Sequence, residues 1–184
     1  MRNKRSGNGR SRGGYTLAEA LLAVLILMMV SAVLAAGLPF AANALNKVVD
    51  TANAQILLSN TMARLRSELA TSTEVTIKDG TTLEYTDSYG VRSTIVLQQG
   101  STVSQEDWGI HITKGAYLEN ELLVSRAAAN HNLYVTYTSV SASNGVLTFT
   151  GFEVRRTTDG RVLASAPETG KLYKIRILAK MGQG

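Results

Sequence analysis

Gly14-Tyr15-Thr16-Leu17-Ala18-Glu19 runs directly into ALLAVLILMMVSAVLAAGLPFAA at positions 20–42, a stretch with no charged residue and with Ser31 as its only hydroxyl. As an α-helix those apolar residues extend about 34 Å at roughly 1.5 Å each, enough to cross a hydrocarbon core of about 30 Å. Upstream lie Arg2, Lys4, Arg5, Arg10 and Arg12, and no Asp or Glu precedes Gly14. This bias keeps the N-terminus cytoplasmic and sends the remainder outside. Of the 19 basic residues, five belong to this leader, leaving 14 to balance the 14 acidic ones, so the chain after Gly14 is formally neutral. The overall charge of +5 is therefore a property of the leader, and a whole-protein nucleic-acid reading loses most of its support.

Three explanations of the segment compete. A secretory signal peptide fits the basic start, and Ala42-Asn43-Ala44 offers an A-x-A cleavage site, but the apolar stretch is longer than the usual h-region. A plain signal anchor accounts for length and orientation and for nothing finer. The third explanation accounts for Glu19, which stands one residue before the apolar run. Burying a carboxylate deeper in a bilayer costs about 2–3 kcal/mol or more, so an acid at its edge asks for a partner. A cut after Gly14 creates one: the new α-amino group of Tyr15, of a class that titrates near about 7.7–8. In a neighbouring copy displaced along the axis, that cation meets Glu19 in apolar surroundings, and the pairing sets register.

The basic leader, Gly14, Tyr15-Thr16-Leu17, Glu19 and the long apolar run together resemble the processing and N-methylation motif of type IV prepilins, G-F-T-L-x-E. The resemblance covers the leader and positions 14–42. It implies a cut after Gly14 by a membrane aspartic prepilin peptidase on the cytoplasmic side, methylation of the Tyr15 amine, and Glu19 as the fifth mature residue, with Thr16 and Leu17 inside the assembly motif. Two features depart from the family pattern. Tyr15 replaces the usual Phe and keeps an aromatic ring. The helix-kinking proline of family members falls near the twenty-second mature position, whereas Pro39 is the twenty-fifth, two residues after Gly37. A proline removes one backbone hydrogen bond, so a bend or a melted turn is expected near Gly37 and Pro39; a harmless membrane proline is the other reading.

Beyond Ala42 the pattern turns amphipathic. Leu45, Val48, Val49, Ala52 and Ile56 recur at helical spacing, and Leu58, Met62, Leu65 and Leu69 continue on a shifted face. The expectation is one helix over 15–70, its second half against a globular head; two helices broken at Pro39 are the alternative. From position 73 the signals are strands: 73–78 and 81–86 around Asp79-Gly80, 91–98 after Asp87-Ser88-Tyr89-Gly90, 133–140 and 146–156 around Ser143-Asn144-Gly145, a turn at Thr157-Thr158-Asp159-Gly160, and 171–180 with Tyr173, Ile175, Ile177 and Ala179 alternating against Lys174, Arg176 and Lys180. Gly151 suggests a bulge. Positions 99–129 are least legible: Trp108, Ile110, Ile112 and Tyr117 suggest short strands, and 118–129 reads as strand or short helix. The fold expected is α+β: a long N-terminal membrane-spanning and amphipathic helix packed on a C-terminal antiparallel sheet, which is also the architecture the resemblance implies. The expected divisions are a basic leader at 1–14, a membrane and filament-core helix at 15–42, its amphipathic continuation at 43–70, and a β-rich head at 71–184.

Catalytic and metal chemistry find no foothold. The chain has no cysteine and two histidines, His111 and His131, twenty residues apart without a metal-binding spacing. Glu106-Asp107 and Glu119/Glu121 read as solvated loops, and no EF-hand, nucleophile elbow, P-loop or G-x-G-x-x-G occurs. No cofactor, no metal and no enzymatic activity are expected. Partners expected are the bilayer, prepilin peptidase and other pilin or pseudopilin subunits; a weak DNA contact through basic residues after Gly145, including Arg155-Arg156, is a minor reading suited to a competence pseudopilus. The function implied is a structural subunit, major or minor, of a type IV pilus, a competence pseudopilus or a type II secretion pseudopilus. The chain would first be a single-pass cytoplasmic-membrane protein with its head outside, then part of a periplasmic or surface filament. The alternative is a secreted or membrane-tethered β-rich binding module with an ordinary signal peptide or anchor.

Overall fold

The computed structural model describes residues 16–100, 104–125 and 132–166, together with the backbone of 168–169 and 172–178. The leader, Gly14, Tyr15, His131 and the side-chain alternation expected over 171–180 lie outside the described side chains.

Helix α1 runs from Leu17 to Ala70, 54 residues, with Pro39 inside it. The alternative of two helices is thereby overturned. So is the melted turn, because helix continues unbroken through Gly37 and Pro39. Proline lacks a single N–H, and the turns on either side keep their own hydrogen bonds. Every residue from Thr16 to Val49 is exposed, and α1 is long and apolar enough to cross a membrane. The chain separates into two compact units, one through Asn46 and one from Lys47 onward.

In the second unit, α1 buries Ala54, Leu57, Leu58, Thr61, Leu65 and Leu69. The earlier stripe does not join them: Leu45 is 64% exposed, Val48 66% and Ile56 51%. Residues two apart on a helix point about 200° from each other, so the face bearing Ile56 lies opposite the face bearing Ala54. Only the second of the two predicted stripes is core.

Twelve strands follow among the described residues. β1 (Thr73–Asp79), β2 (Thr82–Thr86), β3 (Arg92–Gln98), β4 (Gly109–Lys114) and β5 (Leu118–Leu122) form a five-stranded antiparallel meander in chain order. β5 settles the start of 118–129 as strand. β6 (Leu133–Thr136), β9 (Glu153–Arg156) and β10 (Val162–Ser165) form a three-stranded antiparallel sheet in the order β10-β9-β6. β7 (Ser139–Ser143), β8 (Val146–Thr150), β11 (Glu168–Thr169) and β12 (Leu172–Leu178) form a four-stranded one in the order β11-β12-β8-β7.

The strands expected over 133–140 and 146–156 are thus each cut in two. They form one hairpin, closed by Asn144-Gly145 with both φ positive, at 51° and 73°, the backbone that a two-residue hairpin turn demands. Midway the hairpin turns a corner: Thr138 and Gly151 leave the ladder, and the two halves join different sheets. Gly151 makes the corner with φ of 65°; a Cβ there would stand 2.9 Å from Thr138 Cβ and 3.2 Å from its backbone nitrogen. Gly151 is therefore a sheet corner, not a bulge inside one strand. The corner brings Tyr137, Phe149 and Phe152 together, with Tyr137 and Phe149 edge-to-face at 5.2 Å and Tyr137 and Phe152 stacked at 6.4 Å. These rings join Leu65, Leu69, Leu83, Ile95, Leu147 and Val154 in one core. Each fully buried aliphatic or aromatic side chain of this kind contributes about 1.5–3 kcal/mol. The fold is α+β: one long N-terminal helix followed by antiparallel sheets.

Candidate functional site at the start of the long helix

Thr16 and Glu19 form a closed pair at the first turn of α1. The Thr16 backbone N–H donates to Glu19 Oε2 at 2.9 Å, the Thr16 hydroxyl donates to the same oxygen at 3.2 Å, and the Glu19 N–H donates back to Thr16 Oγ1 at 3.3 Å. The Ala20 N–H reaches the Thr16 carbonyl at 3.2 Å, the first bond of the helix. This is a capping box, in which a Thr at the cap and a Glu three residues on satisfy two of the backbone donors that a helix start leaves open. Its signal, T-x-x-E before an apolar run, stands in the sequence as Thr16-Leu17-Ala18-Glu19. Reading Glu19 only as an intermolecular partner overlooks this intramolecular role.

Both bonds fall on Oε2, and Oε1 accepts none among the described residues. Glu19 is exposed, as is Leu17 beside it at 81%. The first turn therefore presents an acid whose second oxygen is open among the described residues, at the head of an apolar helix that no described residue covers before Val49. At the other predicted position, a Cβ on Gly37 would meet nothing within 4 Å, so no packing among the described residues requires glycine there.

The second unit holds its helix by two ion-pair groups. Glu68, with 11% of its side chain exposed, takes Lys114 Nζ at 2.6 Å and Arg64 at 3.3 Å, and accepts the Tyr85 hydroxyl at 3.4 Å. Burial, and next the Glu68 charge, push the Tyr85 phenol above its ordinary range. Arg156 meets Asp50 at 2.6 Å and Asp159 at 3.3 Å, while Arg155 pairs with Glu153. Arg155 and Arg156, the adjacent pair singled out for DNA, are thus both engaged in ion pairs.

His111 is buried, with Nδ1 3.0 Å from the Asn120 carbonyl and Nε2 2.8 Å from the Asp107 carbonyl, so both ring nitrogens face backbone oxygens. Among the described residues, no three His, Cys, Asp or Glu side chains gather to hold a metal. No family model, no curated protein and no solved structure matches the chain.

Proposed function

We propose that this chain is the precursor of a type IV pilin-like or pseudopilin subunit, cut after Gly14 and assembled through α1 into a filament. The observation that carries the reading is the first turn of α1: Glu19 with one oxygen capping its own helix and the other open, heading a helix on which every residue as far as Val49 is exposed. Exposed apolar surface on this scale calls for lipid or for other chains. In the bilayer the cap keeps the carboxylate hydrogen-bonded while the subunit is alone. In the filament the open Oε1 receives the Tyr15 amine of another copy, and apolar neighbours replace lipid. The exposed stripe of Leu45, Val48 and Ile56 extends that surface past the membrane segment. The work of the protein is mechanical: Gly14 supplies the scissile bond, Tyr15 the methylated terminus, Glu19 the acceptor.

Mass spectrometry of protein extracted from membranes of a host with prepilin peptidase tests the processing. The expected N-terminus is N-methylated Tyr15. An intact Met1 overturns the proposal, and a terminus directly after Ala44 points instead to a secreted binding module.

A further inference from the structure

We propose that the polar cleft at the corner of the bent hairpin binds one neutral, hydroxyl-rich ring, a hexose-type sugar unit. The cleft has a volume of about 250 Å³. Its floor is a block of cross-strand neighbours: Tyr134 faces Arg155, and Thr136 faces Glu153, on adjacent antiparallel strands. Val135 and Val154 between them are buried in the core, so the four residues form the opposite face of the ladder. A polar sheet face is ordinarily open to water. Here Tyr134, Thr136 and Glu153 are 7%, 6% and 9% exposed; Trp108 packs edge-on against Tyr134, and Gln99, Thr138 and Gly151 complete the lining of the cleft.

Burial of Thr136 and Glu153 makes the hydrogen-bond inventory of the floor decisive. Glu153 Oε1 takes Nε and Nη2 of Arg155, and Oε2 takes none among the described residues. A buried carboxylate oxygen without a donor is costly and calls for an occupant. Gln99 Oε1 accepts the Thr136 hydroxyl at 2.9 Å, and its Nε2 makes no bond among the described residues. Glu153, with an open acceptor, and Gln99, with an open amide donor, thus both line one small cleft. The Glu153 and Arg155 charges cancel, so nothing selects an ion. Groups that both donate and accept match this lining, and adjacent hydroxyls on a ring place several of them within such a volume. The inference stands apart from the filament reading, since it concerns the head alone.

The test is ¹H–¹⁵N NMR of the full chain in dodecylphosphocholine micelles, a detergent without sugar, titrated with the methyl glycosides of glucose, galactose and N-acetylglucosamine. Expected are saturable shifts of the Gln99 side-chain amide and of the Thr136 and Glu153 backbone for at least one glycoside, with Kd of about 1–10 mM. Glu153→Gln removes the open acceptor, and Gln99→Ala, at the exposed rim, removes the donor; each should weaken binding about tenfold. Should Glu153→Gln fail to fold, Gln99→Ala decides. Absence of saturable shifts for all three glycosides up to about 100 mM, or affinity unchanged in the folded variants, overturns the proposal.

Discussion

Glu68→Ala offers a demanding test of how α1 is held in the head. The carboxylate is 11% exposed and serves Lys114 at 2.6 Å, Arg64 at 3.3 Å and the buried Tyr85 hydroxyl at 3.4 Å. Removing one member of a buried ion pair costs about 3–5 kcal/mol. Lys114 keeps 23% of its side chain in water, which reduces its share to about 2 kcal/mol. Arg64 is 55% exposed and adds at most about 0.5 kcal/mol. Leaving the Tyr85 hydroxyl without its acceptor adds about 1 kcal/mol. The sum, about 3 kcal/mol, corresponds to a fall in Tm of about 6–12 °C for a unit of this size. Thermal unfolding followed by circular dichroism in micelles measures it. The Glu68 charge also helps push the Tyr85 phenol upward, so tyrosinate absorbance should rise at lower pH in the variant. A Tm within about 2 °C of wild type, with an unchanged tyrosine titration, would refute the reasoning.

Gly151→Ala forces a side chain onto a φ of 65° and against Thr138; the expected loss is about 2 kcal/mol or more, read by urea denaturation, and Gly160→Ala, with open space at its Cβ, should cost less. Burial raises the phenols of Tyr85 and Tyr137, each 1% exposed. Above about pH 10 the unfolded chain therefore releases protons that the folded chain keeps, and stability falls by about 1.4 kcal/mol per pH unit for each tyrosine. Urea midpoints that stay level between about pH 8 and about pH 11 would contradict this.

The long helix was legible because its signals are local: an uninterrupted apolar run, then helical spacing as far as Leu69. The hairpin turns were legible for the same reason, with Asn144-Gly145 naming its backbone outright. The corner at Gly151 was not, because a glycine within a strand pattern fits a bulge as well as a change of sheet, and only the other sheets decide. Nor did periodicity tell which of two apolar stripes meets the head, since Ile56 and Leu58 are equally apolar and differ only in what packs on them. The cap between Thr16 and Glu19 was present as a four-residue motif that a functional reading of Glu19 obscured. The cleft over Glu153 depends on residues more than fifty positions apart, Gln99 and Arg155, a separation no sequence pattern spans.

Glu19→Gln separates the two roles of the acid. Glutamine also completes a capping box, so the helix start survives, but a neutral amide offers no charge to an incoming amine. Incorporation into filaments, measured by quantitative immunoblotting of sheared and cell-bound fractions beside Glu19→Ala, is the most direct measurement. The account predicts normal processing after Gly14 and a loss of incorporation in Glu19→Gln as deep as in Glu19→Ala; filaments from Glu19→Gln at wild-type levels would contradict it.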